Sequence, residues 1–176
     1  PPSKINKLDY DFILFVGRNN PQKGPEHLKE IVFNVLKAQS SFKALILGSR
    51  WNLDYFNEEI QDRIKLINSA ENVFDYYGSA KCLLYTSLYG EGYPNIIAEG
   101  MIIGFPIEGY DTGDFNLMIQ NYDLGKTISN KDEFVTSVLN IINNQPSNQR
   151  RINAINNISP ELDFNKTVNS YIDILF

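Results

Sequence analysis

Three short runs, DFILFVGR (11–18), FKALILGS (42–49) and KCLLYTS (81–87), are apolar at nearly every central position rather than at every second one. A strand with one wet face alternates apolar and polar side chains. A run that does not alternate has to be covered on both sides, as a strand inside a parallel sheet is. Parallel neighbours cannot be joined by a tight turn, so the chain must cross over between them, usually through a helix. The segment after the first run supplies one: PEHLKEIVFNVLKAQ (25–39) puts Leu28, Ile31, Val32, Val35 and Leu36 on a single helical face. This alternation predicts an α/β fold, an open doubly wound parallel sheet with helices on both faces.

The rest of the chain fits the same plan. LDYFNEEIQDRIKLI (53–67) spaces Phe56, Ile60, Ile64 and Ile67 as an amphipathic helix does, and AENVFDYYGSA (70–80) reads as a short helix stopped at Gly78. NIIAEGM follows Pro94, a residue tolerated in a first helical turn, and Gly104 marks a stop. FPIEGYD (105–111) and GKTIS (125–129) predict two further short strands, although Glu108 would be costly in a buried one. Helical patterns over 131–143, about 147–157 and 161–175 close the chain, the last carrying Phe164, Val168, Tyr171, Ile172 and Leu175.

Composition narrows the function by exclusion. A net charge of −5, with Arg150-Arg151 as the only compact basic cluster, argues against a nucleic-acid surface. The single cysteine, Cys82, sits in an apolar run with no histidine beside it, which predicts a buried structural thiol. The single histidine, His27, is expected to face solvent in a first helical turn. No stretch approaches the ~20 apolar residues of a membrane-spanning helix. The opening PPSKINKLDYD has no apolar signal core, so residues 1–10 are expected to be a linker and 11–176 a domain in a cytoplasmic protein.

In such a sheet, ligands bind beyond the carboxyl ends of the strands, which directs attention to the loops 17–25, 48–53, 87–95 and 110–115. The first, GRNNPQKG, holds Arg18 and Lys23 between a strand and a helix start. Such a loop can grip an anion through charge-assisted bonds of about 1.5–3 kcal/mol each, aided by free helix N–H groups. It can equally be a solvated turn that happens to carry two cations. It contains neither a GxxxxGK phosphate loop nor a GxGxxG turn. The third loop, GEGYPNIIAEGM (90–101), places Glu91 before a helix and Glu99 within it. Gly90 and Gly92 let the backbone approach a ligand closely, and the N–H groups of 92–96 are left without helical acceptors. Two carboxylates so placed can hold sugar hydroxyls. Glu91 can also simply favour a helix start, with Glu99 facing solvent. Asp9-Tyr10-Asp11 precedes a strand instead of following one, which is the wrong place for a metal-bridging pair.

Taken together, Gly17-Arg18, Lys23-Gly24, Glu91-Gly92-Tyr93-Pro94, Glu99-Gly100-Met101 and Gly104-Phe105-Pro106 resemble the C-terminal, donor-binding domain of the GT-B fold retaining glycosyltransferases, the group 1 or family 4 class. The resemblance extends from about residue 11 to 143. It implies a nucleoside-diphosphate sugar as substrate, with Arg18 and Lys23 on the diphosphate, Glu91 beside the transferred sugar and Glu99 on the ribose hydroxyls. It implies further donor contacts at Gly17, Gly92, Tyr93, Pro94 and Asn95, and at Thr112 and Gly113, where DTGDF stands in place of the usual Gly-rich loop. The base would lie near Gly48-Ser49-Arg50 and Tyr76-Tyr77-Gly78. No metal and no cofactor are implied, because the two cations and backbone amides would neutralise the leaving diphosphate. An N-terminal acceptor-binding domain is the implied partner, without which the chain binds donor but does not transfer. Any peripheral membrane attachment would come through that domain. The rival readings are a non-catalytic GT-B-like nucleotide-sugar binding or scaffolding domain, and a GT-B-related epimerase.

Overall fold

The computed structural model describes residues 9–160, apart from 71, 72, 78 and 159. Six strands form one wholly parallel sheet: β1 (Phe12–Val16), β2 (Lys43–Leu47), β3 (Ile64–Ile67), β4 (Cys82–Tyr85), β5 (Ile107–Tyr110) and β6 (Gly125–Ile128), in the order β3-β2-β1-β4-β5-β6. The helices are α1 (Pro25–Ala38), α2 (Phe74–Tyr77), α3 (Asn95–Ile102), α4 (Phe115–Ile119), α5 (Lys131–Asn143) and α6 (Asn148–Ile158).

Each central strand feeds two cores, which is why its sequence does not alternate. In β1, Ile13 and Phe15 pack with α1 and α5 on one face, while Phe12 and Leu14 pack with α3, α4 and α6 on the other. In β4, Cys82 and Leu84 join the first core, Leu83 and Tyr85 the second. Cys82 is fully buried, and burial first, then the nearby Glu108, pushes its thiol well up. It is a structural thiol, as its apolar setting predicts.

One predicted helix is not a helix. Residues 53–67 form two 3₁₀ turns, Leu53–Tyr55 and Glu58–Arg63, and then the edge strand β3. Asn52 and Asn57 cap the two turns through their side chains, and in the strand Ile64 and Leu66 face one core while Ile67 faces the other. Pro94 is likewise the residue before α3 rather than its first member, with φ −75° and ψ 108°. Gly104 stops that helix as expected, at φ 70°. His27 is half-buried instead of solvent-facing, because α1 turns it toward β5, where Nδ1 lies 3.1 Å from the Tyr110 hydroxyl. The helix expected over 161–175, and all but the last two residues of the expected linker, lie outside the described residues.

Candidate donor-binding site

The strand order places the chain's change of direction between β1 and β4. From β1 the chain runs outward to β2 and β3, then returns to β4 and continues the other way. The loops leaving β1 and β4 therefore stand side by side above the carboxyl ends of the two central strands, where open α/β sheets bind their ligands. Those are the loops that carry Lys23 and Glu91.

Local chemistry shapes the first loop. Asn20 accepts a hydrogen bond from the Lys23 N–H at 3.1 Å, closing a one-turn 3₁₀ helix, Pro21–Lys23. Gly24 follows at φ 60°, and a Cβ there would stand 2.3 Å from the Thr86 carbonyl oxygen. Only glycine permits both that dihedral and that approach. The loops are then stitched together: the Thr86 hydroxyl donates to the Lys23 carbonyl at 2.7 Å, Leu88 N–H to the Gln22 carbonyl at 2.8 Å, and the Gln22 side-chain amide to the Gly90 carbonyl at 2.8 Å. The register these bonds impose brings Lys23 Nζ to 2.5 Å from Glu91 Oε1. Both side chains are largely shielded, at 21% and 11% exposure, so the pair is screened less than a surface bridge. The buried Ser87 hydroxyl donates to the same Glu91 oxygen at 2.9 Å.

The loop after β5 closes the third side. The buried Thr112 hydroxyl donates to the Ser87 carbonyl at 2.8 Å, and Asp114 N–H donates to the Gly92 carbonyl at 3.1 Å. Gly113 sits at φ 61°, and a Cβ there would fall 2.4 Å from the Glu91 carbonyl oxygen. Thr112 and Gly113 are thus packed against the backbone of the Glu91 loop. Tyr85, beneath this junction, has its phenol pushed up by burial and then by the Glu91 charge.

The remaining predicted residues take different stations. Gly17 follows β1, and its carbonyl accepts from the Trp51 indole at 2.8 Å, while Asn19 N–H bonds the Ser49 carbonyl at 3.0 Å, so the loop after β2 borders the loop after β1. Gly48 is tied in from that side at φ 147°, with the Gly17 carbonyl 2.1 Å from a would-be Cβ. Arg18 is exposed, and among the described residues no hydrogen bond or ion pair holds its guanidinium. Gly92, Tyr93 and Asn95 are exposed and Pro94 is buried. Among the described residues, no side chain caps α3. A Cβ at Gly92 would meet no described atom within 4 Å, so no described packing calls for glycine there. Glu99 stands apart from the Lys23–Glu91 pair: its Oε2 accepts from the Tyr77 hydroxyl at 3.1 Å.

Sequence reasoning overlooked Ser87, Thr86 and Gln22, which hold the pair without belonging to it. The signal was present in TS at the end of the third apolar run: hydroxyls at a strand's carboxyl end lie within reach of the backbone and carboxylates of the neighbouring loops. Chemically, this end of the sheet presents an exposed guanidinium, an ammonium matched to a carboxylate and exposed loop backbone. It suits an anion joined to a polar, hydroxyl-bearing group.

A family model described as glycosyl transferases group 1 matches residues 2–157. Among curated proteins, none matches the chain significantly in sequence. Solved structures share the fold. WaaG, a glycosyltransferase involved in lipopolysaccharide biosynthesis, superposes with a TM-score of 0.77 at 13% identity, covering 96% of this chain and 48% of that one. Anabaena HepE in complex with UDP gives 0.74 at 18% identity, covering 93% and 49%. The pneumococcal O-GlcNAc transferase GtfA in complex with UDP and GlcNAc gives 0.71 at 16% identity, covering 98% and 36%. The chain thus spans half or less of the length of the structures it matches here.

Proposed function

The chain belongs to the group 1 glycosyl transferases, and from that premise we propose that it is the nucleotide-sugar half of a retaining GT-B enzyme. The observation that carries this reading is the meeting of Lys23 and Glu91, at 2.5 Å, from the two loops that leave the sheet at its switch point. The cation and the carboxylate are then poised side by side for the two ends of one substrate.

In this reading the diphosphate sits over the first loop and the start of α3. Arg18 and Lys23 stabilise the charge that builds on it as the bond to the sugar breaks, together with amides of Gly92, Tyr93 and Asn95. Pro94 has no N–H and shapes the turn only. Lys23 must exchange Glu91 for phosphate, and that exchange releases Glu91 to hold a sugar hydroxyl and face the anomeric carbon. Glu99 takes the ribose. UDP and sugar in the HepE and GtfA structures support a nucleotide sugar as ligand. We assign transfer itself to this chain acting with an N-terminal acceptor-binding domain.

The test is thermal unfolding of the chain with UDP, GDP, ADP and their sugar conjugates, beside Lys23→Ala and Glu99→Ala. A ligand at about 100 times its dissociation constant adds roughly 2.7 kcal/mol, on the order of 5–10 °C for a domain of this size. One base should stabilise the chain and both variants should lose the effect. Stabilisation that survives in Lys23→Ala would place the nucleotide elsewhere.

A further inference from the structure

Glu99 meets none of the groups that organise Glu91. Its single hydrogen-bond donor among the described residues is Tyr77, at the end of α2, whose hydroxyl lies 3.1 Å from Oε2. Tyr77 is 1% exposed, and its ring packs edge-on against Phe74 and Phe105, each with centroids 5.7 Å away. A tyrosine fixed on two sides by aromatic rings has no freedom to follow a moving carboxylate. The carboxylate has to come to it.

We propose that Tyr77 is the positioning residue for the ribose-binding carboxylate, its immobile hydroxyl holding Glu99 Oε2 so that Oε1 is presented to the ribose hydroxyls. This rests on the donor-site reading above. A glutamate has three rotatable bonds and, half-exposed on α3, would otherwise sample several rotamers. Clamping one oxygen removes that freedom before the ligand arrives, and a preorganised acceptor binds more tightly for the same contacts. The phenol is suited to the role. Burial first, then the Glu99 charge and the hydrogen bond itself, push its ionisation far above neutrality, so it stays a donor throughout the working range. Two other tyrosines buried in the same core, Tyr85 and Tyr122, donate their hydroxyls to the backbone carbonyls of Thr112 and Phe105, and Tyr77 differs from them. Its hydroxyl is satisfied by a group of the site, not by the scaffold.

The test pairs two nucleotides with two variants of the whole chain. Affinities for UDP and for 2′,3′-dideoxy-UDP, which lacks the hydroxyls Glu99 would hold, are measured for wild type, Tyr77→Phe and Glu99→Ala, with the GDP and ADP pairs run in parallel. Phenylalanine keeps the ring and its packing. The proposal expects Tyr77→Phe to weaken the ribonucleotide about fivefold and leave the dideoxy nucleotide unchanged, with Glu99→Ala showing the same selectivity and a larger loss. Equal weakening of both nucleotides by Tyr77→Phe would mark a purely structural tyrosine and overturn it. So would no weakening of either beside a selective loss in Glu99→Ala. If Glu99→Ala itself shows no selectivity, the ribose assignment falls and the role of Tyr77 with it.

Discussion

Lys23 and Glu91 are each other's nearest counter-charge, so neither is idle while the donor is absent. Removing the carboxylate's charge therefore frees the lysine. Glu91→Gln should bind a bare nucleoside diphosphate more tightly than wild type, by about fivefold or roughly 1 kcal/mol. It should not gain the same advantage for the sugar conjugate, because the amide replaces the group proposed to hold the sugar. Parallel calorimetric titrations with the diphosphate and its conjugate check this, and tighter binding of both would show that Glu91 does not touch the sugar. Ser87 makes a neutral contrast. It bonds the same Glu91 oxygen at 2.9 Å, so Ser87→Ala should shift both titrations only slightly.

At the scale of elements, the glycines of the site separate into two kinds. Gly113 is required by the protein: at φ 61° an added Cβ would strike the Glu91 and Gly92 carbonyl oxygens at 2.4 and 2.7 Å. Gly113→Ala should lower the unfolding temperature by an amount equivalent to roughly 1–3 kcal/mol. Gly92 has no described neighbour within 4 Å of its would-be Cβ. Gly92→Ala should therefore leave the unfolding temperature unchanged and still weaken nucleotide binding; unchanged binding would remove the loop from the site. Sequence spacing located both loops but could not distinguish these glycines, since the difference lies in which backbone crosses above each. The same limit hid β3. Ile60, Ile64 and Ile67 recur as they would on a helix, yet Ile60 belongs to a 3₁₀ turn and Ile64 and Ile67 to an edge strand only four residues long. Periodicity cannot resolve elements shorter than two of its own periods. The central strands β1, β2 and β4 were legible because burial on both faces leaves no polar position to confuse the reading. Tyr77 was legible only as a neighbour of the expected base region, since its partner lies 22 residues away.

At the scale of the whole molecule, Glu108 on β5 sets a pH dependence. It is 4% exposed, and Oε2 has no hydrogen-bond partner among the described residues. Burial raises its carboxyl to about 7, against the opposing pull of Ser137 and Lys126, while Glu133 adds to the rise. The folded-state value lies above the unfolded one, about 4.3. Its contribution is therefore fully present below that value and is lost as pH rises through about 7. Glu108→Gln, which never ionises, should gain on wild type between about pH 5 and pH 8, by up to roughly 3 kcal/mol or on the order of 5–10 °C. Thermal unfolding at the two pH values reads this directly; a constant gap would mean that Glu108 stays charged or finds water.

The proposed nucleotide binding turns on one charge, that of Lys23. Titration calorimetry of wild type and Lys23→Ala with UDP, GDP and ADP tests it most directly. The expected result is binding of one of these nucleotides by wild type, weakened at least about tenfold, or roughly 1.4 kcal/mol, without Lys23. Equal affinity in the two proteins would contradict it, and so would a wild-type chain that binds none of the three.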